Sequence, residues 1–214
     1  MKGRIIKSTG SWYKIRLESG ELVDARVRGK LRIDEIKSTN PVAVGDIVTL
    51  SDSNESDYII QDVQERKNYI IRKATKLSKQ THIIAANLDL AIVMVTIVQP
   101  NLKLGFLDRM LVTAEAYNIP ALIVINKSEL LTENELAYAQ DLCKAYKDIG
   151  YDSKIISVIE GSGVEEIKEE IKGKTVLITG HSGVGKSSLV NAIDPSLNAR
   201  ITVVSKYSEK GQHT

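Results

Sequence analysis

Gly180-His181-Ser182-Gly183-Val184-Gly185-Lys186-Ser187 has the spacing of a phosphate loop, a glycine followed after four residues by Gly-Lys-Ser. Glycines let the backbone turn so that consecutive N–H groups aim inward at phosphate oxygens. A helix that starts at Lys186 offers its N-terminal donors and partial positive charge to the same anion. In that arrangement Lys186 neutralises the β- and γ-phosphates of a nucleotide, the Ser187 hydroxyl ligates magnesium, and Ser188 stands beside it in the first turn. His181, Ser182 and Val184 fill the variable positions. A ligand-free glycine turn between strand and helix is the bland alternative. The apolar strand before the loop and the helical period after it are the context that phosphate binding needs.

A phosphate loop alone does not choose between nucleotides. Asn126-Lys127-Ser128-Glu129 adds that choice, because it follows the apolar run Ala121–Ile125 at the carboxyl edge of a sheet, where open α/β folds hold ligands. Guanine presents N1–H and an exocyclic amine side by side, and one carboxylate can accept from both, whereas adenine presents the wrong pattern. The segment resembles the guanine-specificity motif of GTPases, Asn-Lys-x-Asp, with Glu129 in the place of aspartate. The resemblance implies that Asn126 braces the loop and that the Lys127 stem covers the ring. A glutamate re-aims the two-point contact by one methylene. Helix-capping sequence is the alternative for this segment. Ser157-Val158, at the end of another short strand and ahead of Gly161-Ser162-Gly163, is similar to the GTPase Ser-Ala-x loop that supports the guanine oxygen, with Val158 replacing the alanine.

The elements that must position these loops are legible as periodicity. From about residue 74 onward apolar runs alternate with helical periods: Leu90–Val98, a helix over Leu104–Tyr117, Ala121–Ile125, a helix over Glu133–Ile149 with Thr132 as N-cap and Gly150 just past its end, Lys154–Ser157, a helix over Val164–Ile171, Thr175–Thr179, and a last helix to about Ile193. This rhythm predicts a mostly parallel sheet covered by helices on both faces. Residues 1–73 have a different texture. Arg4–Thr9, Tyr13–Glu18, Glu21–Arg28, Ile47–Leu50 and Tyr58–Val63 alternate or are β-branched, with turn chemistry between them. Short strands at that density predict a small closed barrel of the OB-fold type. Arg66–Thr81 reads as a charged linker, which makes residues 1–73 a barrel domain and 74–214 a nucleotide-binding domain.

Charge is uneven although the net value is only +2. Lys2, Arg4, Lys7, Lys14, Arg16, Arg26, Arg28, Lys30 and Arg32 are opposed only by Glu18, Glu21 and Asp24 in the first 32 residues. A solvated basic face and a surface for a phosphate backbone are equally good readings. Apolar residues at 43% and charged ones at 26% are ordinary for a globular chain. No apolar run reaches the roughly 18–20 residues that cross a bilayer, so no membrane partner is expected. Met1-Lys2-Gly3-Arg4 lacks the apolar stretch of a secretory signal. Cys143 is the single cysteine, which excludes an intrachain disulfide and points to a reducing, cytoplasmic setting.

A basic barrel, then the base motif, then the phosphate loop, then Gly211-Gln212-His213-Thr214 is the motif order of a circularly permuted GTPase. Ala85-Ala86-Asn87-Leu88-Asp89, Leu107-Asp108-Arg109, Gly180–Leu189 and the turn Val44-Gly45-Asp46 also fit one pattern. Along essentially its whole length the chain resembles the RsgA/YjeQ family of permuted GTPases that depend on the small ribosomal subunit. The resemblance implies an α/β P-loop GTPase domain behind an OB-fold that contacts ribosomal RNA, GTP/GDP and Mg2+ as ligands, and a role in late maturation of the small subunit, as a monomer. It implies that His213 orients the attacking water and that Thr214 closes on magnesium. Two family elements are absent from the 214 residues, the Asp-x-x-Gly switch and the C-terminal domain with its Zn2+; hydrolysis by these residues alone is therefore expected to be weak. An ATP-using P-loop enzyme and an RNA-binding module with a vestigial nucleotide site are the rival expectations.

Overall fold

Alternation builds the barrel. Strands β1 (Lys2–Thr9), β2 (Trp12–Leu17), β3 (Leu22–Val27), β4 (Ile47–Asp52) and β5 (Tyr58–Val63) close in the order β1-β2-β3-β5-β4, with β4 pairing back onto β1. Every second residue of β2, Tyr13, Ile15 and Leu17, points into a core shared with Ile5, Val23, Ala25, Val48, Leu50 and Ile60. The intervening Trp12, Lys14 and Arg16 stay outside. This is the five-stranded OB-type barrel that strand spacing predicts. The computed structural model describes residues 1–27, 42–52, 57–73 and 81–197. Arg28, Lys30, Arg32, Lys76, Lys79, His213 and Thr214 lie outside them.

Where a linker is expected, the chain forms a hairpin instead. Strands β6 (Tyr69–Lys73) and β7 (Thr81–Ala86) pair antiparallel and belong to the first of two compact units, Met1–Leu88. Its base is tied to the barrel turn: Ala86 N donates to Val44 O at 2.9 Å and Asn87 Nδ2 to Gly45 O at 3.1 Å. Asn68 pairs through both ends of its amide with the backbone of Leu88, at 2.7 and 2.9 Å. Beside it Asp46, fully buried, receives Arg66 through two 2.7 Å bonds and the Ala43 N–H at 2.8 Å. These contacts mostly join residues twenty to about forty positions apart, so a local composition of charged residues conceals them.

The second unit, Asp89–Thr214, is the predicted parallel α/β layer. Its elements are β8 (Leu90–Val95), α1 (Leu104–Ala116), β9 (Ala121–Ile125), α2 (Glu133–Asp148), β10 (Asp152–Ile155), α3 (Val164–Ile171), β11 (Val176–Gly180) and α4 (Lys186–Ile193). The sheet order is β10-β9-β8-β11, parallel throughout. β8 is buried along its whole length and feeds two cores. Leu90, Ile92 and Met94 pack with Ile167 of α3 and Leu189 of α4. Val93 and Val95 pack on the other face with Leu107 and Leu111 of α1 and Ala139 and Tyr146 of α2. The strand stops at Val95, earlier than its apolar run suggests, because the Thr96 hydroxyl donates to Pro100 O at 2.7 Å and turns the chain. α2 starts on the expected cap, with Thr132 and Glu135 forming a reciprocal capping box.

Asp46→Ala leaves the nearly buried Arg66 guanidinium without its bidentate partner. Loss of one member of a buried pair typically costs about 3–5 kcal/mol. Urea unfolding followed through the fluorescence of Trp12, the only tryptophan of the chain, reports on this unit alone. The midpoint should fall markedly; an unchanged midpoint would show that the ion pair does not hold the turn.

Candidate nucleotide site

The connections that leave β8 and β11 go to opposite faces of the sheet, as do those that leave β9 and β10. Such divergence opens a crevice outside the carboxyl ends of the strands, where ligands of open α/β sheets bind. Residues 180–185 lie at one crevice, and residues 126–130 and 157–163 at the other.

Gly180, the last residue of β11, lies so close to β8 that a methyl group on it would come within 2.3 Å of Met94 O. The chain then arches to Gly185, at φ +99°, and enters α4 at Lys186. A methyl group on Gly185 would sit 2.4 Å from Asn126 Nδ2. Lys186 Nζ reaches back over the arch and donates to Gly180 O at 2.9 Å and His181 O at 2.7 Å. Its partial burial pulls the ammonium pKa below the usual lysine value, so the charge is incompletely compensated. Ser187 and Ser188 follow in the first turn of α4. The His181 ring leans on Phe106 of α1, 3.8 Å between centroids and tilted by 42°. Burial first, and then the cations of Lys103, Lys186 and Arg109, push its pKa below the ordinary histidine value.

Asn126 joins the loops. It is buried; Nδ2 donates to Val184 O at 2.9 Å, and Oδ1 accepts from Val158 N at 3.2 Å. One amide therefore sets the spacing between the phosphate arch and the two loops beyond β9 and β10. Lys127 adopts a left-handed conformation, φ +71°, and its ammonium donates to Gln99 O. Burial lowers the Lys127 pKa, and the nearby Glu129 charge opposes that shift. Ser128 N donates to Ile156 O at 3.1 Å and starts a single 3-10 turn, Ser128–Leu130. Glu129 rides on this turn with both carboxylate oxygens buried and without a hydrogen-bond partner. Ser157 is buried; its Oγ accepts from Glu160 N at 3.1 Å, and its N–H donates to Ser162 O at 3.0 Å. That closes the 157–162 loop and presents Val158, half-buried, beside Asn126.

The sequence motifs 126–129, 157–158 and 180–188 thus meet at one edge of the sheet. Gln99 and Phe106, which the motifs do not include, complete it. Both sit just beyond β8, and Phe106 is the only phenylalanine of the chain. Among the described residues no group of three or more His, Cys, Asp or Glu side chains could hold a metal. The hydroxyl of Ser187 at the phosphate loop fits an ion that draws its other ligands from phosphate and water.

A glycine arch on a helix N-terminus, joined by an asparagine to an Asn-Lys-x-acid turn that precedes it in the chain, defines a P-loop GTPase domain of circularly permuted order. Residues 63–214 match the family model described as RsgA GTPase, and residues 2–60 match the RsgA N-terminal domain. The chain is 47% identical over 214 residues to the small ribosomal subunit biogenesis GTPase RsgA of Bacteroides fragilis, covering all of this chain and 69% of that protein. It is 49% identical over 217 residues to the protein of the same name from Flavobacterium johnsoniae, covering 67% of it. The crystal structure of YjeQ from Thermotoga maritima superposes with a TM-score of 0.75 at 33% identity, over 94% of this chain and 67% of that one. That of YloQ, titled a circularly permuted GTPase, gives 0.70 at 32% identity, over 91% and 64%. The chain belongs to the RsgA GTPase family, a class that binds guanine nucleotide with Mg2+.

If the Asn126 amide is the tie between loops, its loss is visible without any ligand. Asn126→Ala leaves Val158 N–H and Val184 C=O unpaired, each worth about 1–3 kcal/mol when buried. Amide hydrogen exchange at Val158 should then accelerate by about tenfold or more while amides of β8 keep their protection. Unchanged exchange at Val158 would contradict the tie.

Proposed function

We propose that this chain binds and hydrolyses GTP as an assembly factor in late maturation of the small ribosomal subunit, contacting ribosomal RNA through its barrel. The names of its relatives, small ribosomal subunit biogenesis GTPases, and the match to the RsgA N-terminal domain support that setting. In this reading the first unit takes RNA and the second takes nucleotide, in the cytoplasm and as a monomer. The family's zinc-bearing C-terminal domain belongs to the same reading.

One observation carries the guanine assignment. Glu129 holds a buried carboxylate with no donor on either oxygen, on the turn that Asn126 anchors to the phosphate arch. Buried acceptors without donors are costly. Guanine N1–H and the exocyclic amine supply two donors at carboxylate spacing. Adenine offers an acceptor at N1, which brings the carboxylate no donor, so the ATP reading is disfavoured at this position. The Lys127 stem covers the purine, and Ser128, Ser157 and Val158 complete the base pocket. Gly180, His181, Ser182, Gly183, Val184 and Gly185 wrap the phosphates, with Ser188 behind them. Lys186 exchanges its two loop carbonyls for β- and γ-phosphate oxygens. Mg2+, when bound, neutralises charge on those oxygens, and Ser187 and Thr214 would hold it. His213 orients the attacking water.

Calorimetry with GTP and ATP tests both halves of the site. Lys186→Ala should abolish tight binding of either nucleotide, because Lys186 is the cation whose ammonium reaches back over the glycine arch. Glu129→Ala should weaken GTP by about 2–5 kcal/mol, the usual cost of deleting a desolvated charged partner, and leave ATP nearly unchanged. A GTP-to-ATP affinity ratio that survives Glu129→Ala would overturn the guanine reading while sparing the phosphate site.

A further inference from the structure

The outer face of β1, β2 and β3 is organised in cross-strand rows. Arg4 stands opposite Arg16, which stands opposite Leu22. An irregularity between Ile5 and Lys7 resets the register of β1, so that Lys7 stands opposite Lys14 and Lys14 opposite Asp24. Thr9 stands opposite Trp12 and Trp12 opposite Arg26. Lys7, Lys14 and Arg16 are exposed, and the ion pair of Lys14 with Asp24 on this face is a loose 3.8 Å contact open to water. Like charges placed directly across a strand pair destabilise a sheet by a few tenths of a kcal/mol or more. Two such pairs side by side make poor sense for a solvated face and good sense for one that meets a polyanion.

Trp12 ends this basic track. It is 44% exposed, on the outer alternation of β2, while its neighbour Tyr13 is buried in the barrel core. The Arg26 guanidinium lies over its ring, 5.9 Å from the centroid. That fixes the indole from one side in a cation–π contact and makes it a rigid aromatic surface flanked by cations.

We propose that Trp12 is a stacking platform for an unpaired nucleotide, and that the RNA taken by the barrel is single-stranded where it crosses β1–β3, with its backbone on Arg4, Lys7, Lys14 and Arg16. The proposal rests on the reading that the barrel contacts RNA and specifies which form of RNA it takes. Unstacked bases pair with aromatic side chains, whereas the bases of an A-form duplex are stacked on each other and closed to an indole. A basic groove joined to an aromatic surface is the common construction of single-strand binding sites on OB-folds.

The intact chain carries its own reporter, because Trp12 is its only tryptophan. Titration with an oligouridylate of about 12 nucleotides, within the span of one OB-fold, should quench Trp12 emission. An RNA duplex of the same length should bind more weakly and leave the emission nearly unchanged. Trp12→Ala should weaken the single strand about five- to a hundredfold, the range for one lost stack. Its slope of affinity against salt should stay unchanged, since no charge is removed. Trp12→Phe should restore most of the affinity. Lys7→Gln with Arg16→Gln should flatten the salt slope instead. RNA binding with full affinity in Trp12→Ala, or with unquenched emission in the unaltered chain, overturns the platform and leaves the RNA-contacting barrel standing. Failure of both RNA forms to bind at low salt overturns the barrel reading itself.

Discussion

At Gly180 and Gly185 the phosphate arch leaves no room for a side chain against the residues beneath it. Methyl groups at Gly180 and Gly185 would lie 2.3 Å from Met94 O and 2.4 Å from Asn126 Nδ2. This contact brings Val184 O within reach of Asn126, and Asn126 within reach of Val158 N. The base loops and the phosphate loop are therefore held by one amide at a fixed separation, rather than each resting on its own strand. The direction of α4 follows from the same approach, because Gly185 is where the chain turns into the helix. Lys186 owes its place over the arch to that turn.

Around this frame the charges are sorted. Burial first, and then the cations of Lys103, Lys186 and Arg109, lower the His181 pKa, so the arch carries cations gathered around one imidazole. On the other side of Asn126 stands a carboxylate without donors. Lys127 contributes its stem more than its charge, since its ammonium is engaged by Gln99 O and its pKa is lowered by burial. Lys186, Lys103 and Arg109 gather at the arch, and a carboxylate without donors stands on the base turn. A molecule with an anionic tail and a donor-rich head complements this arrangement, and the reverse polarity does not.

Much of this was legible in the chain because glycine, cap and strand signals are local. The arch needs glycines at set intervals, Thr132 and Glu135 form their capping box within four residues, and the alternation of β2 sorts Tyr13, Ile15 and Leu17 from Trp12, Lys14 and Arg16. What was not legible depends on residues far apart in sequence. β6 and β7 are short, their intervening residues are rich in charge, and what fixes them is bonding to Val44 and Gly45 about forty positions away. The pairing of Asp46 with Arg66, the lean of His181 on Phe106 and the capture of Lys127 by Gln99 are likewise tertiary events with no periodic trace. The row of like charges on β1 and β2 is intermediate. The basic excess was visible, but its placement opposite itself depends on a register that an irregularity inside β1 sets.

The places where this structure departs from favourable local chemistry have a common form. Glu129 buries acceptors without donors, Lys186 holds a partly desolvated cation, Lys127 takes a left-handed conformation without being glycine, and Arg4 and Lys7 face Arg16 and Lys14. Each costs stability, and such costs persist in folded proteins mainly at sites of function. They are not interchangeable costs. A missing pair of donors is relieved only by a molecule that brings two N–H groups together, a partly desolvated ammonium over a glycine arch by a compact anion, and a row of repelling cations by a repeating one. The departures at Glu129 and Lys186 lie on the Asn126 frame and complement a single ligand. The opposed cations belong to the barrel and complement a polymer. That division by the chemistry of relief, rather than by sequence position alone, separates the unit that carries the phosphate loop from the unit that carries the opposed cations.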